Sequence, residues 1–169
     1  LENQNCIPNE TFDIVLSQDV FEHIYNPAAA FKEISRTLKP GGFHIFTVPL
    51  TSKQFGTFQA AERADSMNGG MTVKLHAPPE IHGNPMGAGG SLLTHQWGYD
   101  IVDLIRESSG METTMVYVES QEFGIHHAEY REVLISRKAG NNEAFPNIWQ
   151  MLDSIKCRHQ KITCGTSRK

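Results

Sequence analysis

The first apolar segment of the chain is FDIVLS, Phe12 to Ser17, a nearly continuous run of apolar and β-branched residues. Such a run is typical of a parallel strand that is covered on both faces. A second strand is predicted at FHIFTVPL, Phe43 to Leu50. Pro49 ends its pairing, because proline has no N–H to donate to a neighbouring strand.

A helix is predicted between these two strands. Asn26 and Pro27 are typical of an N-cap and a first helical position. The apolar residues that follow recur at spacings of three and four, namely Phe31, Ile34 and Leu38. KPGG, Lys39 to Gly42, predicts the end of the helix. Strand, helix and strand within about 40 residues form a right-handed βαβ unit with parallel strands.

The next segment, from Thr51 to about Gly90, has no sustained period and is rich in Gly, Pro, Met and His. Long connections of this kind are usually functional or mobile, so residues 51–93 are predicted to form a structureless lid or insertion loop. A helix is predicted from Thr94 to Ser109, with Trp97 on its apolar, core-facing side and Gly110 as its stop.

The last ordered elements are two predicted strands, TMVYV at Thr114 to Val118 and YREVLIS at Tyr130 to Ser136. Their link has no helical period, which favours antiparallel pairing. Residues 139–169 are predicted to be a polar tail with one weak helical segment around Ile148 to Ile155.

Composition narrows the class of partner. The chain has 169 residues and a formal net charge of −4, without a basic stripe, which argues against nucleic acid and anionic membranes and favours small molecules. The three cysteines, Cys6, Cys157 and Cys164, form no CxxC pair, which fits a reducing, cytoplasmic compartment.

Polar groups follow the first strand directly: Ser17, Gln18, Asp19, Glu22 and His23. In open α/β sheets ligands bind outside the carboxyl ends of the strands, so these side chains are candidates for a cofactor or substrate site. A structural interpretation is equally compatible with the sequence. In it, Asp19 caps the short turn DVFEHI, and Glu22 and His23 lie in solvent.

The ordered string FDIVLSQDVFEHIYNPAAAFKEISRTLKPGGFHIFTVP resembles the second half of class I S-adenosylmethionine-dependent methyltransferases, in particular the type 11-like members. The resemblance rests on the FD-led strand, the EH after it and the RTLKPGG turn. It implies an α/β, Rossmann-like methyltransferase sheet in which residues 1–138 supply the family's strands in the order 4-5-7-6. The sheet would be mixed, with a final antiparallel strand.

The resemblance also implies a truncated domain. The glycine-rich cofactor loop and the ribose-binding acid of the family are absent from this sequence, and Leu1 corresponds to a residue beside the adenine. The family's fourth strand would then form an exposed apolar edge, which favours self-association or pairing with another chain.

Site residues follow from the resemblance. Ser17, Gln18 and Asp19 would line the methionine side of S-adenosylmethionine, and His23 would be a base or an orienting group, although a packed histidine without chemistry is an alternative. Some related enzymes bind a divalent metal with E-x-x-E-H. The corresponding residues here are Asp19, Glu22 and His23, with His82 as the best-placed loop histidine beside His76 and His95.

Acceptor recognition is assigned to Arg63, His82 and Tyr99, any of which could instead pack the loop. The predicted function is methyl transfer from S-adenosylmethionine to a small-molecule acceptor. One alternative is a non-catalytic fragment or interaction module that does not bind the cofactor alone. Another is a metal-assisted methyltransferase. An unrelated doubly wound fold such as a dehydrogenase is disfavoured because no dinucleotide fingerprint is present.

Overall fold

A computed structural model describes residues 1–65, 71–83 and 89–140. The helices are α1 (Pro27–Thr37) and α2 (Ile101–Ser109), and a 3-10 turn covers Phe21–His23. The strands are β1 (Phe12–Gln18), β2 (Leu38–Thr47), β3 (Phe58–Gln59), β4 (Ala61–Asp65), β5 (Met71–Leu75), β6 (Ile81–His82), β7 (Ser91–Leu92), β8 (His95–Gln96), β9 (Glu112–Tyr117) and β10 (Glu132–Arg137).

The main sheet has the order β1-β2-β10-β9. β1 and β2 are parallel, and β10 is antiparallel to both β2 and β9. This is the predicted arrangement of the family's fourth, fifth, seventh and sixth strands. The βαβ unit, the mixed sheet and the antiparallel last pair are therefore confirmed.

Helix α1 begins as predicted, because Asn26 Oδ1 accepts a hydrogen bond from the N–H of Ala29 at 3.0 Å. The following strand begins at Leu38 rather than Phe43, since KPGG lies inside β2 at a register shift against β1. Gly42 is required there, because a Cβ would lie 2.9 Å from the carbonyl oxygen of Asp13.

The core lies between the two helices and one face of the sheet. Its members are Phe21, Ala30, Phe31, Ile34, Leu38, Phe46, Val48, Leu50, Trp97, Ile101, Ile105, Met111 and Leu134. On the other face of β1 the apolar side chains remain exposed, with Leu16 at 72% and Ile14 at 46%. β1 is also an edge of the sheet, so the predicted exposed apolar edge is present in the described residues.

Two predictions about the middle of the chain are wrong. The segment predicted to be structureless contains the antiparallel pairs β4–β5 and β6–β7, and also β3, which pairs with β8 just beyond the segment. The helix predicted from Thr94 begins at Ile101, because residues around His95 pair with β3 and the chain then passes Gly98, where a Cβ would lie 2.6 Å from the carbonyl oxygen of Lys53. Trp97 is fully buried, although outside the helix.

The end of α2 agrees with the sequence prediction. Gly110 adopts the left-handed conformation, with φ of 70°, and its N–H donates to the carbonyl oxygen of Arg106. The predicted helical segment around Ile148 to Ile155 lies outside the described residues, as do Cys157 and Cys164. Neither described helix has the length and apolar character required to span a membrane.

Candidate functional site

The candidate site begins where β1 ends. The N–H of Asp19 donates a hydrogen bond to the carbonyl oxygen of Thr47, which extends the pairing of β1 with β2. The backbone then turns at Asp19, where φ is 50°. Asp tolerates this left-handed conformation better than most residues. Its carboxylate accepts a hydrogen bond from the Thr47 hydroxyl at 3.1 Å. The 3-10 turn that follows has Val20 as N-cap without a side-chain cap, so the alternative that Asp19 caps this turn is wrong.

The turn is anchored in the core by Phe21, whose ring stacks on that of Phe31 at a centroid distance of 4.2 Å. Phe21 is fully buried. Because Phe21 is held in the core, the next two residues, Glu22 and His23, lie at the boundary between the core and the middle segment of the chain.

Glu22 is a buried carboxylate, with 1% of its surface exposed, and its Oε2 has no hydrogen-bond partner among the described residues. Burial raises the pKa of Glu22, although a backbone hydrogen bond and the neighbouring His23 act in the opposite direction. The second part of the structural alternative, a solvated Glu22, is therefore wrong.

His23 has a defined tautomer. Its Nδ1 lies 2.8 Å from the carbonyl oxygen of Leu92, which can only accept, so Nδ1 carries the proton. In the neutral ring Nε2 is then an unprotonated base, 3.7 Å from Oε1 of Glu22. The side chain is 21% exposed, so His23 is accessible to a small reactant.

His82 completes the cluster from β6. Its ring meets that of His23 edge to face at a centroid distance of 5.1 Å, and its Nε2 lies 3.4 Å from Oε1 of Glu80. Ligand atoms of Glu22, His23 and His82 all lie within 4.8 Å of one another. Asp19, the fourth predicted ligand, is not in this group.

Glu22, His23 and His82 are the described residues that could hold a divalent ion. Two ligand atoms about 2.1 Å from a tetrahedral ion are about 3.4 Å apart, so the 3.7 Å between Glu22 and His23 needs little adjustment. Oε2 of Glu22, which has no partner among the described residues, and Nε2 of His23 are ligand atoms of the kind that zinc, manganese or a similar ion binds.

The segment around Thr94 holds the turn in place, which the sequence did not indicate. The N–H of Thr94 donates to the carbonyl oxygen of Glu22 at 2.7 Å. The Thr94 hydroxyl lies 2.9 Å from the same oxygen and 2.8 Å from that of Ile24. Because these contacts join positions about 70 residues apart, no local pattern could have identified them.

A cleft of about 350 Å³ opens at the carboxyl ends of β1 and β2. It is lined by Leu16, Ser17, Gln18, Ile45, Phe46, Thr47 and Val133. Two of the predicted cofactor residues, Ser17 and Gln18, therefore line one cavity. His44, which the sequence analysis did not single out, contacts Ser17, with its Nε2 2.9 Å from the serine Oγ.

The remaining predicted residues lie outside the cluster. Arg63 pairs with Glu2 at 3.2 Å and lies over the ring of Tyr25. The hydroxyl of Tyr99 is 2.8 Å from that of Tyr117. Leu1 is 43% exposed at the start of the chain.

The other two loop histidines are also engaged elsewhere. His76 pairs with Glu62 at 3.2 Å. The ring of His95 stacks on that of Trp97 at 4.9 Å, and burial lowers the pKa of His95.

Part of the chain is similar to known methyltransferases. Residues 2–46 match the family described as a methyltransferase domain. An uncharacterized methyltransferase of Schizosaccharomyces pombe is 30% identical over 93 residues, an alignment that covers 55% of this chain and 31% of the relative. The chain therefore spans about a third of the length of that relative.

Similar solved structures include an S-adenosylmethionine dependent methyltransferase from Mesorhizobium loti, at 16% identity and a TM-score of 0.48, covering 78% of this chain and 64% of that one. Another, from Listeria monocytogenes, has 15% identity and a TM-score of 0.49, covering 81% and 65%. Residues 2–46 are therefore similar to part of a methyltransferase domain, and the order of the main sheet is the one that the sequence resemblance predicts.

Proposed function

We propose that the protein transfers a methyl group from S-adenosylmethionine to a small-molecule acceptor at the carboxyl end of β1. The observation that carries this proposal is the position of His23. An accessible imidazole, whose Nδ1 is held by the carbonyl oxygen of Leu92, presents its Nε2 beside a buried carboxylate, within the residues that match the methyltransferase family.

The chemistry divides between cofactor and protein. When bound, S-adenosylmethionine would supply an activated methyl group, carried on a sulfonium, to a lone pair of the acceptor. Nε2 of His23 takes the proton that an N–H or O–H acceptor loses. The Glu22 carboxylate, 3.7 Å away, stabilises the imidazolium that forms. Alignment of the acceptor supplies much of the remaining acceleration.

Binding roles follow from position and from the resemblance. Ser17, Gln18 and Asp19 would hold the methionine part of the cofactor, and Leu1 would lie beside the adenine. His82 is the best-supported acceptor residue, because its ring contacts that of His23. Arg63 and Tyr99 have less support, since Glu2 and Tyr117 already engage them.

The class of acceptor and the location are also part of the proposal. The net charge of −4 favours a small molecule over nucleic acid or a membrane surface. The cysteine pattern favours the cytoplasm. Residues 51–93 would then act as the lid over the acceptor.

Calorimetric titration with S-adenosylhomocysteine tests cofactor binding, and release of S-adenosylhomocysteine against panels of amines, phenols and thiols tests transfer. We expect saturable binding, and we expect His23→Gln to lower transfer by about 10²–10⁴ while binding persists. His76→Gln is the matched control. If the wild-type chain shows no saturable binding, the alternative of a non-catalytic interaction module is favoured and the enzyme proposal for this chain is refuted.

A second candidate function is metal-assisted methyl transfer, with Glu22, His23 and His82 as ligands. The specific observation in its favour is the unpartnered, buried Oε2 of Glu22 beside two imidazoles. A bound divalent ion would act as a Lewis acid that orients an acceptor oxygen.

Metal binding can be measured without an acceptor. Titration with Zn²⁺, Mn²⁺ and Co²⁺ by calorimetry, with the Co²⁺ absorption spectrum as a second readout, should show one site in the wild-type chain. Glu22→Gln and His82→Gln should each weaken it by at least ten-fold, whereas His76→Gln should not. Equal affinity in all four proteins, or activity that survives EDTA unchanged, would remove the metal from the mechanism.

We also infer that β1 supports self-association. Its edge is unpaired by any described strand and its side chains Ile14 and Leu16 are exposed. Antiparallel pairing of two copies centred on Val15 would set Asp13 opposite Ser17, so no like charges would meet. Leu16→Lys should abolish concentration-dependent dimerisation in analytical ultracentrifugation, and Val73→Lys, at an exposed apolar residue of another strand, should not. A wild-type chain that stays monomeric at all concentrations would contradict this inference.

A further inference from the structure

A polar contact near the carboxyl end of β1 joins the side chains of Ser17 and His44. The Ser17 Oγ lies 2.9 Å from Nε2 of His44, across the parallel pair of β1 and β2. His44 is fully buried, and its Nδ1 has no partner among the described residues. Ser17 is half-buried on the edge strand and lines the cleft at the carboxyl ends of β1 and β2, whereas His44 does not line it.

The surroundings of His44 are aromatic. Its ring stacks on that of Phe46 at 4.4 Å with an interplanar angle of 7°, and the rings of Phe21 and Phe31 lie tilted at 5.6 and 6.3 Å. Burial lowers the pKa of His44 to about 3, so the imidazole is neutral at physiological pH and carries one ring proton.

The position of that proton can be argued from the cost of the two alternatives. A proton on Nδ1 would leave a buried N–H donor without an acceptor, and the parallel Phe46 ring offers no face to an in-plane N–H. A proton on Nε2 has the Ser17 oxygen as its acceptor and leaves only an unshared lone pair at Nδ1. Orphaned buried N–H groups are rarer in folded proteins than under-satisfied acceptors, which favours the second arrangement.

We propose that His44 is a positioning residue that holds the Nε2–H tautomer, donates to Ser17 Oγ, and thereby directs the serine proton away from the core. A hydroxyl whose oxygen already accepts from His44 presents its own O–H outward as a donor. Ser17 therefore selects an oxygen acceptor, such as a carboxylate or carbonyl, over an ammonium group. If the proposed function holds, on which this last step rests, that acceptor is the carboxylate of the cofactor's amino-acid end.

The tautomer can be measured directly by long-range ¹H–¹⁵N correlation on ¹⁵N-histidine-labelled protein, without any ligand. We expect the His44 Nε2 shift to be that of a protonated nitrogen and the Nδ1 shift that of an unprotonated one. Two variants assign the signal of the His44 ring. The signal should shift in Ser17→Ala, which keeps the imidazole in place, and it should be lost in His44→Phe. The reverse pattern, or averaged shifts of two exchanging tautomers, overturns the proposal.

The consequence for binding is tested with S-adenosylhomocysteine by calorimetry. Ser17→Ala should weaken binding about ten-fold or more, because a hydrogen bond to a charged acceptor is lost. His44→Phe should cause part of that loss, and the double variant should bind no worse than Ser17→Ala, because the imidazole acts only through the serine. Additive losses would contradict the positioning role. If the wild-type chain does not bind this probe, the proposed function fails, while the tautomer measurement still decides the state of His44.

Discussion

Acidification should destabilise the folded protein through His44. The neutral imidazole is buried in the fold with a pKa of about 3, whereas the unfolded chain has the ordinary value of 6.5. A depressed pKa means that the unfolded state binds the proton more readily. The stabilising contribution is therefore complete above pH 6.5 and is lost as the pH falls from 6.5 towards 3.

The magnitude follows from the two pKa values. At pH 4.5 nearly every unfolded molecule is protonated at His44 and nearly every folded one is not, which costs about 2.7 kcal/mol of unfolding free energy relative to pH 7.5. The full loss below pH 3 would be about 5 kcal/mol. Either value is a large share of the total stability of a typical domain, which is about 5–15 kcal/mol.

Urea unfolding at pH 7.5, 6.5, 5.5 and 4.5 measures this effect as the difference between the wild-type chain and His44→Phe. Other groups whose pKa values are shifted, such as His95 and Glu22, titrate in both proteins and cancel. The difference should move by about 2.7 kcal/mol in favour of His44→Phe between pH 7.5 and pH 4.5. Ser17→Ala retains the imidazole and should keep the wild-type pH dependence. Parallel curves for the wild-type chain and His44→Phe would refute the reasoning.

Three further predictions concern stability and are measured by urea unfolding at pH 7.5. Asn26→Ala removes the helix cap and should cost about 1 kcal/mol, whereas Asn26→Asp should cost much less. Phe31→Ala empties a fully buried aromatic position and should cost about 3–5 kcal/mol, and a smaller loss would show that the core refills the space. Gly42→Ala should destabilise by more than 1 kcal/mol, because its Cβ meets the backbone oxygen of Asp13, while Gly83→Ala, with nothing within 4 Å, should be nearly neutral.

The fold around α1 was predictable because its signals are local. An N-cap is recognised from one side chain and one nearby N–H, and here the Asn26 side chain accepts from the N–H of Ala29, three residues further on. The left-handed turn at Gly110 needs only a residue without a Cβ. The order of the four strands was predictable from the family resemblance. The parallel pairing of β1 and β2 was predictable from the βαβ pattern, because such a crossover is right-handed.

The middle segment was not predictable, because its short strands are stabilised by partners far along the chain. Strands of two residues, such as β6 and β8, are too short to show alternation of apolar and polar positions. The extended conformation near Thr94 overrides a helical pattern because its N–H and hydroxyl contact carbonyl oxygens in the 3-10 turn.

The sequence alone determined that polar groups follow β1, because these residues come directly after the strand in the sequence. Only the tertiary structure decided which of them share one site. It buried Glu22, oriented His23 through the carbonyl of Leu92, and brought His82 against the ring of His23. It also bound Asp19 to Thr47, outside the cluster. Burial and tautomer depend on atoms supplied by distant segments, and therefore no local pattern encodes them.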